Sequence, residues 1–120
     1  MITVIGSINL DLIANVPRLP EPGETVSGSS FASAPGGKGA NQALAACRAG
    51  GDVRMIGAVG QDNFADQALQ LLRQAGIDLA GVRDSHSTTG TALILVASNG
   101  ENVIAVVPGA NATVLPGDVA

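Results

Sequence analysis

Apolar residues in this chain fall into short blocks of two kinds, set apart by glycine and proline. Residues 2–6 (Ile-Thr-Val-Ile-Gly) and 53–59 (Val-Arg-Met-Ile-Gly-Ala-Val) are brief and β-branched or aliphatic, the pattern of buried strands. Residues 40–49 are rich in alanine and leucine and predict a helix, stopped by Gly50-Gly51 with Arg48 in its last turn. Asp62 is placed to cap a second helix running to Ala75 and closed by Gly76. Phe64, Ala68, Leu71, Leu72 and Ala75 recur at helical spacing and predict its buried stripe. A short strand is expected near Val82.

Two excursions interrupt this alternation. Residues 11–16 and 24–30 read as more exposed strands around a Pro- and Gly-rich turn at 17–23, which suits neither helix nor mid-sheet. Residues 91–97 and 102–107 read as a hairpin through Ser98-Asn99-Gly100-Glu101, since Asn-Gly between apolar runs favours a tight turn. Ile94 and Val96 take one face of that hairpin, Leu93 and Leu95 the other. A sheet apolar on both faces needs two covers, of which one is a ligand or a partner subunit. Alternating strands and helices predict an α/β fold with a parallel sheet. The excursions, at about 11–30 and 91–107, predict a small β layer inserted twice into one domain, 1–120. Leu115-Pro116 has the form of a helix start. The sequence stops there, so it is expected to be a fragment of something longer.

Composition narrows the function. With 120 residues, 46% hydrophobic and 13% charged, one domain with a real core is expected. Two Phe and no Trp or Tyr make that core aliphatic. A net charge of −4 without a basic cluster argues against nucleic acid, and so does the lack of aromatic stacking platforms. The single cysteine, Cys47, excludes an intrachain disulfide and reads as a small buried hydrophobe. The first residues show no basic leader region, and no apolar run approaches the roughly 20 residues that span a bilayer. A soluble, cytoplasmic protein is expected.

The densest chemical signal is Gly36-Gly37-Lys38-Gly39-Ala40-Asn41. A Gly-rich turn feeding a helix start brings backbone N–H groups close to a ligand. Lys38 and Asn41 add a charge and an amide at the same rim. The spacing fits neither a Walker A loop, where the lysine precedes Ser or Thr, nor the G-x-G-x-x-G dinucleotide turn, which follows the first strand. The glycines alone would also serve tight strand-to-helix packing. Asn9 and Asp11 lie two apart, so on a strand they share a face. Asp11 can accept from two hydroxyls and Asn9 can donate and accept, as a buried polyol requires; an Asx turn at a strand end is the alternative. His86, in a polar run, has no partner at catalytic spacing and reads as a surface-loop residue.

Taken together, these motifs resemble the ribokinase-like (PfkB) sugar kinases. Gly36-Gly37-x-Gly39-x-Asn41-x-Ala43, followed by Gly50 and Gly60, is similar to the family's first signature. Gly6-Ser7-Ile8-Asn9-Leu10-Asp11 resembles its first strand and substrate segment, and Pro22-Gly23-Glu24-Thr25 the start of its lid. Gly100-Glu101-Asn102-Val103-Ile104 and Pro108-Gly109-Ala110-Asn111-Ala112 agree as well. The likeness runs over essentially the whole chain.

The resemblance implies a ribokinase-like fold with a β-sheet lid over a sugar site. It implies D-ribose as substrate, bound by Asn9, Asp11, Gly37, Lys38, Gly39 and Asn41, with Ala92 and Ile94 covering its apolar face. It also implies ATP, Mg²⁺ and a monovalent cation (K⁺), with their sites beyond this stretch, and a homodimer formed through the lid. The family's catalytic base lies in a second signature, Asp-x-x-Gly-Ala-Gly-Asp, which does not occur here. No catalytic residue and no metal ligand is therefore assigned in this chain, which alone is expected not to phosphorylate anything. A relative acting on deoxyribose or another small sugar or nucleoside is the near alternative. A non-catalytic sugar-binding or dimerisation module is the distant one, separable by whether the gene encodes the second signature.

Overall fold

The computed structural model describes residues 1–119, so the last residue of the expected 1–120 domain lies outside it. Two sheets share the chain. The first holds β1 (Ile2–Ile5), β4 (Val53–Gly60) and β5 (Asp78–Ser85), all parallel, in the order β1-β4-β5. The second holds β2 (Asn9–Val16), β3 (Ser30–Gly36), β6 (Gly90–Ala97) and β7 (Asn102–Val107), in the order β3-β2-β6-β7. Helices α1 (Lys38–Arg48) and α2 (Asn63–Gln74) follow β3 and β4.

The body forms around β4, which is buried on both faces except at Arg54. Met55 and Val59 of β4 meet Ala40, Ala43 and Leu44 of α1 and Ala68, Leu69 and Leu72 of α2 in one aliphatic core. A short 3₁₀ turn, Gly109–Thr113, packs against β4, and Ala110 within it is fully buried. The core extends to Ile8 and Leu10, at the root of the second sheet.

The two excursions do form one β layer, and its centre is a parallel pair. β2 and β6 run in register from Asn9↔Gly90 to Val16↔Ala97, although the strands are separated in sequence by β3, both helices and β4–β5. β3 and β7 flank them antiparallel. The layer's first strand begins at Asn9 rather than at residue 11. The expected strand at 24–30 is not formed; β3 lies six residues later. There Glu24 receives Arg18 (2.7 Å from Nη2) and the Glu21 N–H (2.9 Å), which folds the segment into a turn. Strand pairing resumes at Asn15↔Ser30.

Helix ends agree with local chemistry. The Asp62 side chain accepts from the Ala65 N–H (3.0 Å), and Gly76 beyond α2 takes a φ of 78°. The buried stripe of α2 differs from expectation, being Ala65, Ala68, Leu69 and Leu72. Phe64 is 37% exposed, while Leu71 and Ala75 are only partly buried against the core. Cys47 is half-buried, its thiol 3.4 Å from the Ala75 carbonyl oxygen, and His86 is exposed in the β5–β6 loop.

Candidate functional site

The site lies where the chain passes between the two sheets. Gly37 adopts a φ of 93° and starts α1 without a side-chain cap. A Cβ on Gly37 would stand 2.6 Å from the Ser7 carbonyl oxygen, so only glycine fits. In place of a cap, that same carbonyl accepts the Ala40 N–H at 2.9 Å. Gly39 is buried with its Cα against Gly6, where a Cβ would come within 2.7 Å of the Gly6 backbone. Gly39 thus serves packing: it seats the first turn of α1 on the β1–β2 junction and does not line the cleft.

The cleft, of about 360 Å³, is lined by Ser7, Asn9, Gly37, Lys38, Asn41, Val106, Pro108 and Asn111. Asn9 is buried and held. Its Oδ1 accepts from Asn111 Nδ2 at 2.7 Å, while Asn111 accepts the Ile8 N–H (2.9 Å) and donates to the Ile8 carbonyl (3.2 Å). Lys38 and Asn41 are exposed on the rim. First-turn N–H groups lack partners inside a helix, so this end of α1 presents positive potential to the cleft.

Asp11 follows Asn9 on the same face of β2. Its carboxylate stands over Gly36, where a Cβ would overlap it at 2.5 Å. Burial raises the Asp11 pKa above its ordinary value, and no hydrogen bond offsets that burial. A half-buried carboxylate without protein donors is ready to accept from ligand hydroxyls. Register places Ala92 beside Asp11 and Ile94 beside Ile13, so both apolar residues share the Asp11 face; Ala92 is buried and Ile94 half-buried. Val106 and Ile104 extend that face along β7.

Four of the eight expected residues (Asn9, Gly37, Lys38 and Asn41) therefore line one cleft, while Asp11 lies against Gly36, next to Gly37 in the chain. Ser7, Val106, Pro108 and Asn111 are not among the binding residues expected from the sequence, although Ser7, Pro108 and Asn111 lie in the motifs quoted above. Asn111 had one legible signal, its place just after Pro108-Gly109 at the end of an apolar strand.

A second hollow, of about 350 Å³, lies between the start of α2 and β6, lined by Asp62, Asn63, Phe64, Thr88, Thr89 and Thr91. Its buried polar groups are already spent on each other: Thr89 donates its hydroxyl (2.6 Å) and N–H (2.9 Å) to Asp62. The first cleft, lined by Asn9 and rimmed by Lys38 and Asn41, is the better candidate site.

Comparison with known proteins gives the family. The pattern of the pfkB family carbohydrate kinases matches residues 1–118. The chain is 46% identical over 116 residues to a ribokinase of Lactococcus lactis, covering 96% of this chain and 38% of the relative. It is 40% identical to a deoxyribokinase of Salmonella typhi, covering 98% of this chain and 39% of that protein. The Arabidopsis thaliana ribokinase solved with ribose and ATP superposes with a TM-score of 0.84 at 34% identity, covering 92% of this chain and 36% of the other. The chain thus spans about two fifths of the length of the relatives it matches. With its parallel body, its four-stranded second sheet and a glycine-built cleft between them, the chain belongs to the pfkB family of carbohydrate kinases, and its fold is ribokinase-like.

Proposed function

We propose that the chain is the sugar-binding and lid half of an ATP-dependent kinase that transfers a phosphoryl group to the 5-hydroxyl of D-ribose, giving ribose 5-phosphate and ADP. The observation that carries this reading is the Asn9–Asp11 pair. One side chain is locked by a protein hydrogen bond and lines the cleft, the other is desolvated without any, and the two share one face of β2. A sugar hydroxyl placed there donates to Asp11 and accepts from Asn9. Lys38 and Asn41 reach further hydroxyls from the rim, and Gly37 lets the ligand approach the backbone. Ala92 and Ile94 cover the apolar face of the ring, making the second sheet a lid. Gly39 contributes by positioning the loop.

A lid with an uncovered apolar face also favours a homodimer through it, since every residue of β7 is exposed, Ile104 and Val106 included. ATP, Mg²⁺ and a monovalent cation belong to the reading. Among the described residues no three His, Cys, Asp or Glu side chains gather into a metal-holding group, and no step is routed through either ion. Phosphoryl transfer relies on positioning, and holding the acceptor sugar is this chain's share of it. Cytoplasmic location is part of the proposal; among the described residues no helix is long and apolar enough to cross a membrane.

The similarity to a deoxyribokinase supports a second reading, with 2-deoxy-D-ribose as acceptor. The complete gene product, assayed with ATP against D-ribose, 2-deoxy-D-ribose, D-fructose and adenosine, decides. The first reading expects the highest kcat/KM for D-ribose. A higher value for 2-deoxy-D-ribose would establish the second, and no turnover of either pentose would overturn both.

A further inference from the structure

We propose that Asn111 is a positioning residue for this site: it fixes which end of the Asn9 amide faces the cleft. The inference rests on the sugar-binding reading for its consequence, but not for its geometry. An asparagine side chain has an accepting end and a donating end, and a hydrogen-bond network must choose between them. Here the choice starts at a group with no ambiguity. The Ile8 backbone N–H can only donate, and it points at Asn111, which therefore receives it on Oδ1 (2.9 Å). That leaves the Asn111 NH₂ on the other side, where it donates to the Ile8 carbonyl (3.2 Å) and to Asn9 (2.7 Å). The atom Asn9 offers to that NH₂ must be its own oxygen. The Asn9 NH₂ is then turned away from Asn111.

Among the described residues the Asn9 NH₂ has no protein acceptor, yet no buried side-chain nitrogen or oxygen is left without a partner. It is therefore open rather than sealed in, and the cleft is what Asn9 lines. Gly90 keeps the arrangement in place, because a Cβ there would overlap both Asn111 Nδ2 and Asn9 Oδ1. Polarity thus passes from one backbone N–H through Asn111 to the ligand. The site presents a donor from Asn9 beside the acceptor of Asp11. That pair selects a hydroxyl, which accepts from one and donates to the other, over an ether or carbonyl oxygen, which cannot donate.

Asn111→Asp keeps the acceptor for Ile8 but removes the donor. Asn9 then turns its NH₂ toward the new carboxylate and presents oxygen to the cleft. In the complete gene product, D-ribose binding is measured by calorimetry for the unaltered protein, N111D, N9A and the double variant. N111D is expected to weaken binding about tenfold or more, while the same change in the N9A background shifts it less than about twofold, since Asn111 acts through Asn9. An equal loss in both backgrounds, or no loss in N111D, would overturn the proposal. If N111D fails to melt cooperatively, Asn111→Ser takes its place, with the same two outcomes. Side-chain amide NMR without sugar tests the geometry directly. The Asn9 NH₂ protons, identified by their loss in N9A, are expected to exchange quickly with water in the unaltered protein and slowly in N111D. Slow exchange in both would overturn it. Failure of the unaltered protein to bind D-ribose would sink the substrate reading and leave the amide test standing.

Discussion

Thr89 donates both its backbone N–H and its hydroxyl to the two carboxylate oxygens of Asp62, at 2.9 and 2.6 Å. Asp62 caps α2 in the body and Thr89 leads into β6 of the second sheet, so one carboxylate joins the two layers. The Thr89 hydroxyl also accepts the Gly60 N–H at 2.9 Å. Thr89→Val leaves the Gly60 N–H without that acceptor in a buried place. A loss of about 1–3 kcal/mol is expected, read as a lower midpoint in denaturant unfolding with unchanged slope.

The same carboxylate gives a pH signature. Burial pushes the Asp62 pKa up, but hydrogen bonds from Thr89, Ala65 and Phe64 outweigh it and hold the pKa below the ordinary 3.8. A carboxylate depressed in the folded state stabilises fully above its unfolded pKa, and that contribution is lost as pH falls through the folded value. Melting temperatures of the unaltered protein and Asp62→Asn, taken from pH 7 to pH 3, should differ most at neutral pH and begin to converge below about pH 4. A gap that widens toward acid pH would contradict the assignment.

Asp11 carries the opposite shift. Burial raises its pKa, so the carboxylate proposed above as the acceptor for sugar hydroxyls is lost at a higher pH than an ordinary aspartate would be. D-ribose affinity is expected to fall as pH drops toward that raised value. Asp11→Asn should weaken binding by about 1.5–3 kcal/mol at neutral pH, roughly ten- to a hundredfold, and flatten the acid limb. Calorimetric titration at several pH values checks both.

Gly39→Ala tests the packing of α1 on the β1–β2 junction. The added methyl meets Gly6 backbone at 2.7 Å, which cannot move aside as a side-chain tip would. Overpacking of this kind costs about 1–3 kcal/mol, and here the upper end is expected. A thermal melt within one degree of the unaltered protein would refute the role.

The open β7 face predicts association. Ile104 and Val106 are more than half exposed, on the face shared by Asp11 and Ala92. Sedimentation velocity over a concentration series is expected to show self-association that Ile104→Glu reduces. A single monomeric species at all concentrations would argue against a lid-mediated dimer.

How much of this was legible in the sequence depends on how local its cause is. The strands of the body, the Asp62 cap, the Gly76 stop and the Asn-Gly hairpin each follow from residues within a few positions of one another, and they were readable. β3 was misplaced because Ser30-Phe31-Ala32-Ser33-Ala34-Pro35-Gly36 has little strand propensity of its own; pairing with β2 makes it a strand. The stripe of α2 was rotated because apolar residues lie on more than one side of that helix. Only packing against β2, β3 and β4 selected Ala65 and Leu69 over Phe64.

The sequence by itself determined the alternation of elements, the glycine-built turn before α1 and the sharing of one strand face by Asn9 and Asp11. These are consequences of side-chain period and backbone freedom, which act over a turn or two of chain. Tertiary structure alone decided that β6 lies beside β2, that Gly39 packs while Gly37 faces the cleft, and that Asn111 reaches Asn9 across 102 positions. Those outcomes depend on which distant groups can satisfy one another's hydrogen bonds and fill one another's space, and no local pattern records that.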